Sequence, residues 1–167
     1  GPAWDESMRT PDRPYSPPPP SDAAIASLKN AVNVARDRPS RASSFAPSHP
    51  PRLANDAAGD STCWLASPDD ANAAWTLDLE GFYEIASDRL TLPAAGNYRY
   101  RVHISLDGRD WTLACDRSAS VNESAQRINV YDPGTVARYI RVAFTHIPPG
   151  CRAGIADFEV FGILSHR

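Results

Sequence analysis

Cysteine is scarce in this chain and oddly numbered: Cys63, Cys115 and Cys151 are three, with no C-x-x-C spacing. That argues against a zinc knuckle and against a disulfide scaffold. One bridge with one free thiol stays open, and the expectation is that all three are small buried apolar side chains. No apolar run approaches the roughly 20 residues of a membrane span, and the N-terminus has no apolar signal-peptide core. Charge of one sign is missing too. The formal net charge is -3, so no basic excess draws in nucleic acid or an anionic membrane, and neither partner is expected. Enzyme signatures are absent: there is no G-x-S-x-G, H-E-x-x-H, phosphate-cradling glycine loop or dinucleotide fingerprint. Asp69-Asp70 and Asp157 with Glu159 come nearest to paired carboxylates. A glycosidase needs two acids across a cleft, whereas strand neighbours project from one wall.

Proline and β-formers are plentiful, and they are separated along the chain. Eleven of the 16 prolines precede Arg52, and Pro17 to Pro20 favour extended polyproline geometry, so residues 1–20 read as a linker. Gly1-Pro2 resembles the scar of a removed tag. Ser21-Asp22 offers an N-cap, and Ile25, Leu28 and Val32 recur at helical spacing, which predicts a short helix within 21–32. From Asn33 the pattern turns to strands. The segments 75–79, 83–92, 99–106, 111–115, 126–131, 138–147 and 154–161 are short, β-rich and divided by Gly, Pro, Asp or Asn. In the hairpin around Asp107-Gly108, residues Tyr98, Tyr100, Val102, Ile104 and Leu106 share one face, opposite Arg99, Arg101, His103 and Ser105. Ile140, Val142 and Phe144 should face the core, as should Ala156, Phe158 and Val160. This favours an all-β antiparallel sandwich over residues 33–163, with a tail at 164–167.

The order of the pieces resembles the discoidin, or coagulation-factor C-type, domain, a galactose-binding-like fold, and within it the carbohydrate-binding modules of family 32. The matching residues are Asn33-Val34-Ala35, Ala42-Ser43-Ser44, Asn55-Asp56 to Thr62-Cys63-Trp64, Trp75 to Leu79, the Ser-x-Asp-Gly-x-x-Trp hairpin, Ala137 to Val142 and Ala153 to Gly162. The resemblance implies an antiparallel jelly-roll β-sandwich of eight strands with ligand-binding loops at one end. It also implies a structural calcium ion (Ca2+) held by Asp56, Thr62, Ala156 and Asp157. Calcium takes six to eight hard oxygens, and the 55–62 loop is rich in them. The loop is one residue longer than the family's usual pattern, and Asp157 stands where Glu is common.

Sugars need an aromatic face against C–H and planar polar groups for hydroxyls. His49, Arg52, Trp64, Asn97, Tyr98 and Arg152 have that chemistry in expected loops, with Tyr98 as the ring platform. Trp64 and Trp75 are more often core than platform, and Arg99, Arg101 and His103 read as a solvated sheet face. The expected protein is a monomeric, non-catalytic carbohydrate-binding module of a larger secreted glycan-active enzyme, extracellular, periplasmic or at the cell surface by resemblance. Its partners would be a carbohydrate ligand and a tethered catalytic domain. The competing readings are a protein- or lipid-binding discoidin module of a surface protein and a small hydrolase using the acid pairs.

Overall fold

The computed structural model describes residues 29–165. The proline-rich 1–20 segment and residues 21–28 of the expected helix lie outside that range. Lys29 and Asn30 are helical, but Val32 is already in a strand, so the expected 21–32 helix is too long at its C-terminal end. Leu164 likewise belongs to the last strand rather than to a tail.

Among the described residues ten strands form, two more than the eight expected, in chain order: β1 (Val32–Asn33), β2 (Ser40–Ala42), β3 (Trp64–Leu65), β4 (Ala74–Thr91), β5 (Arg99–Ser105), β6 (Trp111–Asp116), β7 (Gln126–Val130), β8 (Val136–His146), β9 (Gly154–Ile155) and β10 (Asp157–Leu164). Every pairing is antiparallel. The two segments expected at 75–79 and 83–92 are one 18-residue strand, β4. Glu80 takes φ of 60°, and the β4–β8 register shifts between Asp78 and Tyr83. The polar residues at that point therefore bend the strand instead of reversing it, as bulges do at sandwich corners.

Through that bend β4 serves two layers. Its first half lies in the order β2, β4, β8, β5, β6, and its second half in the order β1, β10, β4, β7. The apolar sides meet between them. Trp75, Leu77 and Leu79 face Ile85, Leu90, Phe158 and Val160, with Tyr100, Val102, Ile140 and Val142 completing the core. Trp75 meets Phe158 edge-on at 5.3 Å between centroids, while Phe144 sits among Trp64, Tyr98 and Tyr100 at 6.1–6.4 Å. Burying such rings contributes several kcal/mol to the interior, on the order of 25 cal/mol per Å² of apolar area. Of the cysteines, only Cys115 is buried. Cys63 and Cys151 are half-buried, and all three are free.

Candidate ligand-binding loop end

Five connections converge at one end of the sandwich: 43–50, 66–73, 92–98, 117–125 and 147–153. Side chains lock them together. Ser43 and Ser44 both donate to Asp70 Oδ2 (2.5 and 2.6 Å), which holds the Asp70 carboxyl below its usual range. Ser44 Oγ also accepts from the Ser67 amide at 3.0 Å. Arg127 is buried, and its guanidinium donates to the carbonyls of Gly96, Tyr98, Asn122 and Ser124 at 2.6–3.2 Å. One side chain thus fixes both the 92–98 and the 117–125 loops. At Gly96, with φ of 153°, a Cβ would meet Pro148 Cγ at 2.8 Å, so the 92–98 and 147–153 loops touch at a point only glycine permits.

Of the expected sugar-contacting residues, the structure removes two. Tyr98 and Trp64 are both 0% exposed. The Tyr98 ring packs on Phe144 and its hydroxyl reaches the Arg152 carbonyl (3.4 Å), while burial pushes its pKa well up. The Trp64 indole donates to the Ser44 carbonyl at 2.9 Å and pairs in β3. Trp64 points inward from β3, and Tyr98, directly before β5, continues the inward row of Tyr100 and Val102, so neither can offer a face to a ligand.

The others remain near the surface. His49 Nδ1 lies 3.0 Å from the Cys63 carbonyl and donates to it, which leaves Nε2 as an acceptor. Its backbone is tied down as well: the His49 carbonyl accepts from Leu65, and the His49 amide donates to Ala46. The Cys63 thiol, 3.6 Å from Nδ1, is raised by burial and lowered less by Arg152, which favours its protonated form. Arg152 donates to the Ala66 carbonyl at 2.7 Å, and its buried Nε has no partner among the described residues. With its amide turned so that nitrogen faces the Ser120 carbonyl (2.9 Å) and oxygen faces Arg99 Nη2 (3.3 Å), the orientation that satisfies both, Asn97 is tied into the loop. Arg52 is exposed on the 3-10 turn Pro51–Ala54.

Sequence reasoning missed Phe45. It is 54% exposed on the 43–50 loop that carries His49, an aromatic face left in solvent beside Ser44 and Ser67. The available signal was an aromatic inside a Ser-rich turn with no alternating apolar partner. Arg127 was missed as well, because an arginine in a β pattern reads as exposed.

At the 51–62 loop, Thr62 Oγ1 donates to Asp56 (2.9 Å to Oδ2, 3.0 Å to Oδ1) and lies 3.4 Å from the Leu53 carbonyl. Three hard oxygens of the kind calcium takes therefore converge. Trp64 pairs with Ile155, so Thr62 and Asp157 lie two residues beyond at the same end of that ladder. Asp157, however, stands beside Glu159 and Arg89. Burial first, and Glu159 second, push its carboxyl up to about 6. Ala156 is buried, with its amide on the Thr91 carbonyl. Among the described residues no three His, Cys, Asp or Glu side chains gather as a metal cluster. The donor set fits calcium in its loop half, through a carboxylate, a hydroxyl and a carbonyl.

The antiparallel layers and the clustered loops define a jelly-roll sandwich with a loop surface at one pole. A family model for the F5/8 type C domain matches residues 39–158, and the chain belongs to that family. Among solved structures it is similar to CpGH89CBM32-6 from Clostridium perfringens, at 19% identity over 79% of this chain and 100% of that one, with a TM-score of 0.68. It is also similar to CpGH89CBM32-4 from the same organism in complex with glcNAc-alpha-1,4-galactose (18% identity, 79% and 94% covered, TM-score 0.68). A third is chitosan-binding module 1 of a chitosanase/glucanase from Paenibacillus sp. IK-5 (20% identity, 78% and 99% covered, TM-score 0.70). No curated protein matches the chain in sequence.

Proposed function

We propose that this domain is a non-catalytic carbohydrate-binding module that takes a terminal galactose-like or related sugar at its loop end, within a larger secreted glycan-active enzyme. The observation that carries the reading is the exposed Phe45 ring on the same hydrogen-bonded loop as His49, whose Nε2 is left as an acceptor. A ring face for C–H groups and an acceptor for a hydroxyl are the two elements a sugar requires. Arg52, Arg152 and Asn97 are the remaining polar candidates. The sugar bound in the complex with CpGH89CBM32-4 supports the ligand class. Few hydrogen bonds form at such a shallow surface and association itself costs several kcal/mol, so the affinity is on the order of millimolar to tens of micromolar. Tethering to a catalytic domain compensates by raising the effective concentration.

Calorimetry with galactose and with GlcNAc-α-1,4-galactose tests the proposal. Binding by the wild type that Phe45→Ala weakens at least tenfold is the expected result. No binding to either sugar, or to any member of a glycan array at millimolar concentration, overturns it. We also propose that calcium occupies the 51–62 loop, held by Asp56, Thr62 and the Leu53 carbonyl with Ala156 and Asp157 closing the site from the last strands. The ion would supply a charged tie between that loop and the sandwich edge.

A further inference from the structure

The outward side of the β2-β4-β8-β5-β6 layer collects cations. Cross-strand partners share a face, and the register runs Arg41 opposite Thr76, Thr76 opposite Arg141 and Arg141 opposite His103. Arg41 and Arg141 are thus two strands apart, about 10 Å. Arg101 and Arg99 follow His103 on the same side of β5, and Arg41 and Arg101 are exposed. Arg141 sits over Trp111, its Cζ 3.9 Å from the ring centroid, and its Nε reaches the Thr76 hydroxyl at 3.3 Å.

Compensating carboxylates are few on this side. Asp116 is taken by Arg101 at 3.4 Å, and Asp78 in the next row is held by Arg138 at 3.0 Å. The cations consequently act on one another. Arg141 is lowered by its own desolvation and by Arg41, and His103 by burial, by Arg141 and by Arg101. His103 Nδ1 is buried without a partner among the described residues. In a chain of net charge -3 this face gathers like charges with few carboxylates beside them.

We propose that this sheet face, from Arg41 through Arg141 and His103 to Arg101, is a second binding surface for an acidic polysaccharide, a linear chain carrying anionic groups at intervals. Guanidinium forks spaced along and across the strands suit repeated carboxylates or sulfates, and Arg141 on Trp111 presents a planar fork already held in place. The surface adjoins the loop end through Arg99 and Arg101 but uses none of Phe45, His49, Arg52, Asn97 or Arg152, so it stands or falls without the loop-end sugar site. Four arginines, Arg41, Arg141, Arg101 and Arg99, with Arg101 shared with Asp116 and His103 held toward its neutral form, favour a spaced polyanion over the denser phosphates of nucleic acid.

Affinity electrophoresis of the intact chain in alginate, a linear polyuronate, is the test. Propylene-glycol-esterified alginate serves as the charge-free control, heparin as the sulfated source and single-stranded DNA as the rival. The expected result is retardation by alginate or heparin that vanishes on the ester and falls steeply with salt. Arg41→Glu, at an exposed position, should weaken it at least fivefold, and Arg41→Glu with Arg141→Gln should abolish it. Arg141→Lys keeps the charge but not the fork and should lose less than Arg141→Gln, with melting temperature checking each fold. Equal weakening by Arg36→Glu, which lies off this face, would reduce the effect to bulk charge and overturn the proposal. Tighter retention of DNA than of either polysaccharide, or no retardation by alginate and heparin, would overturn it too.

Discussion

At the residue scale, exposure separates Phe45, in a Ser-rich turn, from Tyr98, at the start of an alternating apolar row. Phe45→Ala should leave stability within about 0.5 kcal/mol while removing most sugar binding, because its ring is mostly in solvent. Tyr98→Ala should cost about 3–5 kcal/mol in denaturant unfolding, the range for a large buried ring cut to alanine. Calorimetry and urea titration of the pair check both, and loss of binding in Phe45→Ala together with a large fall in stability would contradict the assignment. Asp88 supplies the pH prediction. It is fully buried, accepts from Asn129 (2.9 Å) and from the Tyr131 hydroxyl, and is linked through Asn129 to Tyr100, Cys115 and Arg117. Burial outweighs those hydrogen bonds and lifts its pKa from 3.8 to about 7. The folded state therefore holds a proton that the unfolded state releases between about pH 4 and 7. Stability falls across that window, by at most about 1.4 kcal/mol per pH unit from this group, and levels off above it. Asp88→Asn should flatten the slope, as urea midpoints between pH 4 and 8 would show.

At the element scale, β7 is inside-out by the usual reading. Gln126-Arg127-Ile128-Asn129-Val130 puts Arg127 and Asn129 inward, while Ile128 is 64% and Val130 73% exposed. Periodicity gives the alternation, but the phase is set by what the interior offers. Arg127 finds four carbonyls and Asn129 completes the Asp88 chain, so polar burial is compensated. Arg127→Met should strand those carbonyls and lower stability by about 3 kcal/mol or more, with new proteolytic cleavage between 117 and 125. Uncleaved loops at full stability would deny Arg127 its organising part. The short β3–β9 pair is equally exacting. A Cβ at Gly154 would collide with the Trp64 carbonyl and press on Leu65 at 2.7 Å. Gly154→Ala should therefore cost at least about 2 kcal/mol and weaken sugar binding, since Leu65 also bonds the His49 carbonyl.

At the scale of the whole molecule, a ligand held only by the folded state adds stability by mass action. If calcium joins the 51–62 loop to the last strands, a chelator should lower the melting temperature, and restored calcium should raise it again. Asp56→Ala should show the lower value in either condition. A melting temperature indifferent to chelator, with no metal by elemental analysis, would remove the ion and leave the Thr62–Asp56 hydrogen bond as the loop's own tie.

The fold was legible because it rests on local patterns. Alternation in Tyr98 to Val102, in Ile140 to Phe144 and in Phe158 to Val160 fixes which side of each strand is apolar, and the turn residues between them bound the strands. The same alternation, followed one step further, already placed the Tyr98 ring inside. The candidate site was legible only in part, since loop residues gain their chemistry from partners far along the chain. Arg38 reaches Glu80 across 42 positions, and Arg152 reaches Ala66 across 86. Whether an aromatic stands in solvent, whether an arginine is buried, and whether Arg41 meets Arg141 depend on such long-range register. Local pattern was enough for the all-β class, for the apolar side of the Tyr98–Val102, Ile140–Phe144 and Phe158–Val160 segments, and for the family resemblance, but not for the joining of two expected strands into β4 or for the short β1, β2 and β3. Tertiary structure alone decided which loops meet and which way β7 turns, because exposure and charge neighbourhood arise from packing between segments that no local pattern relates.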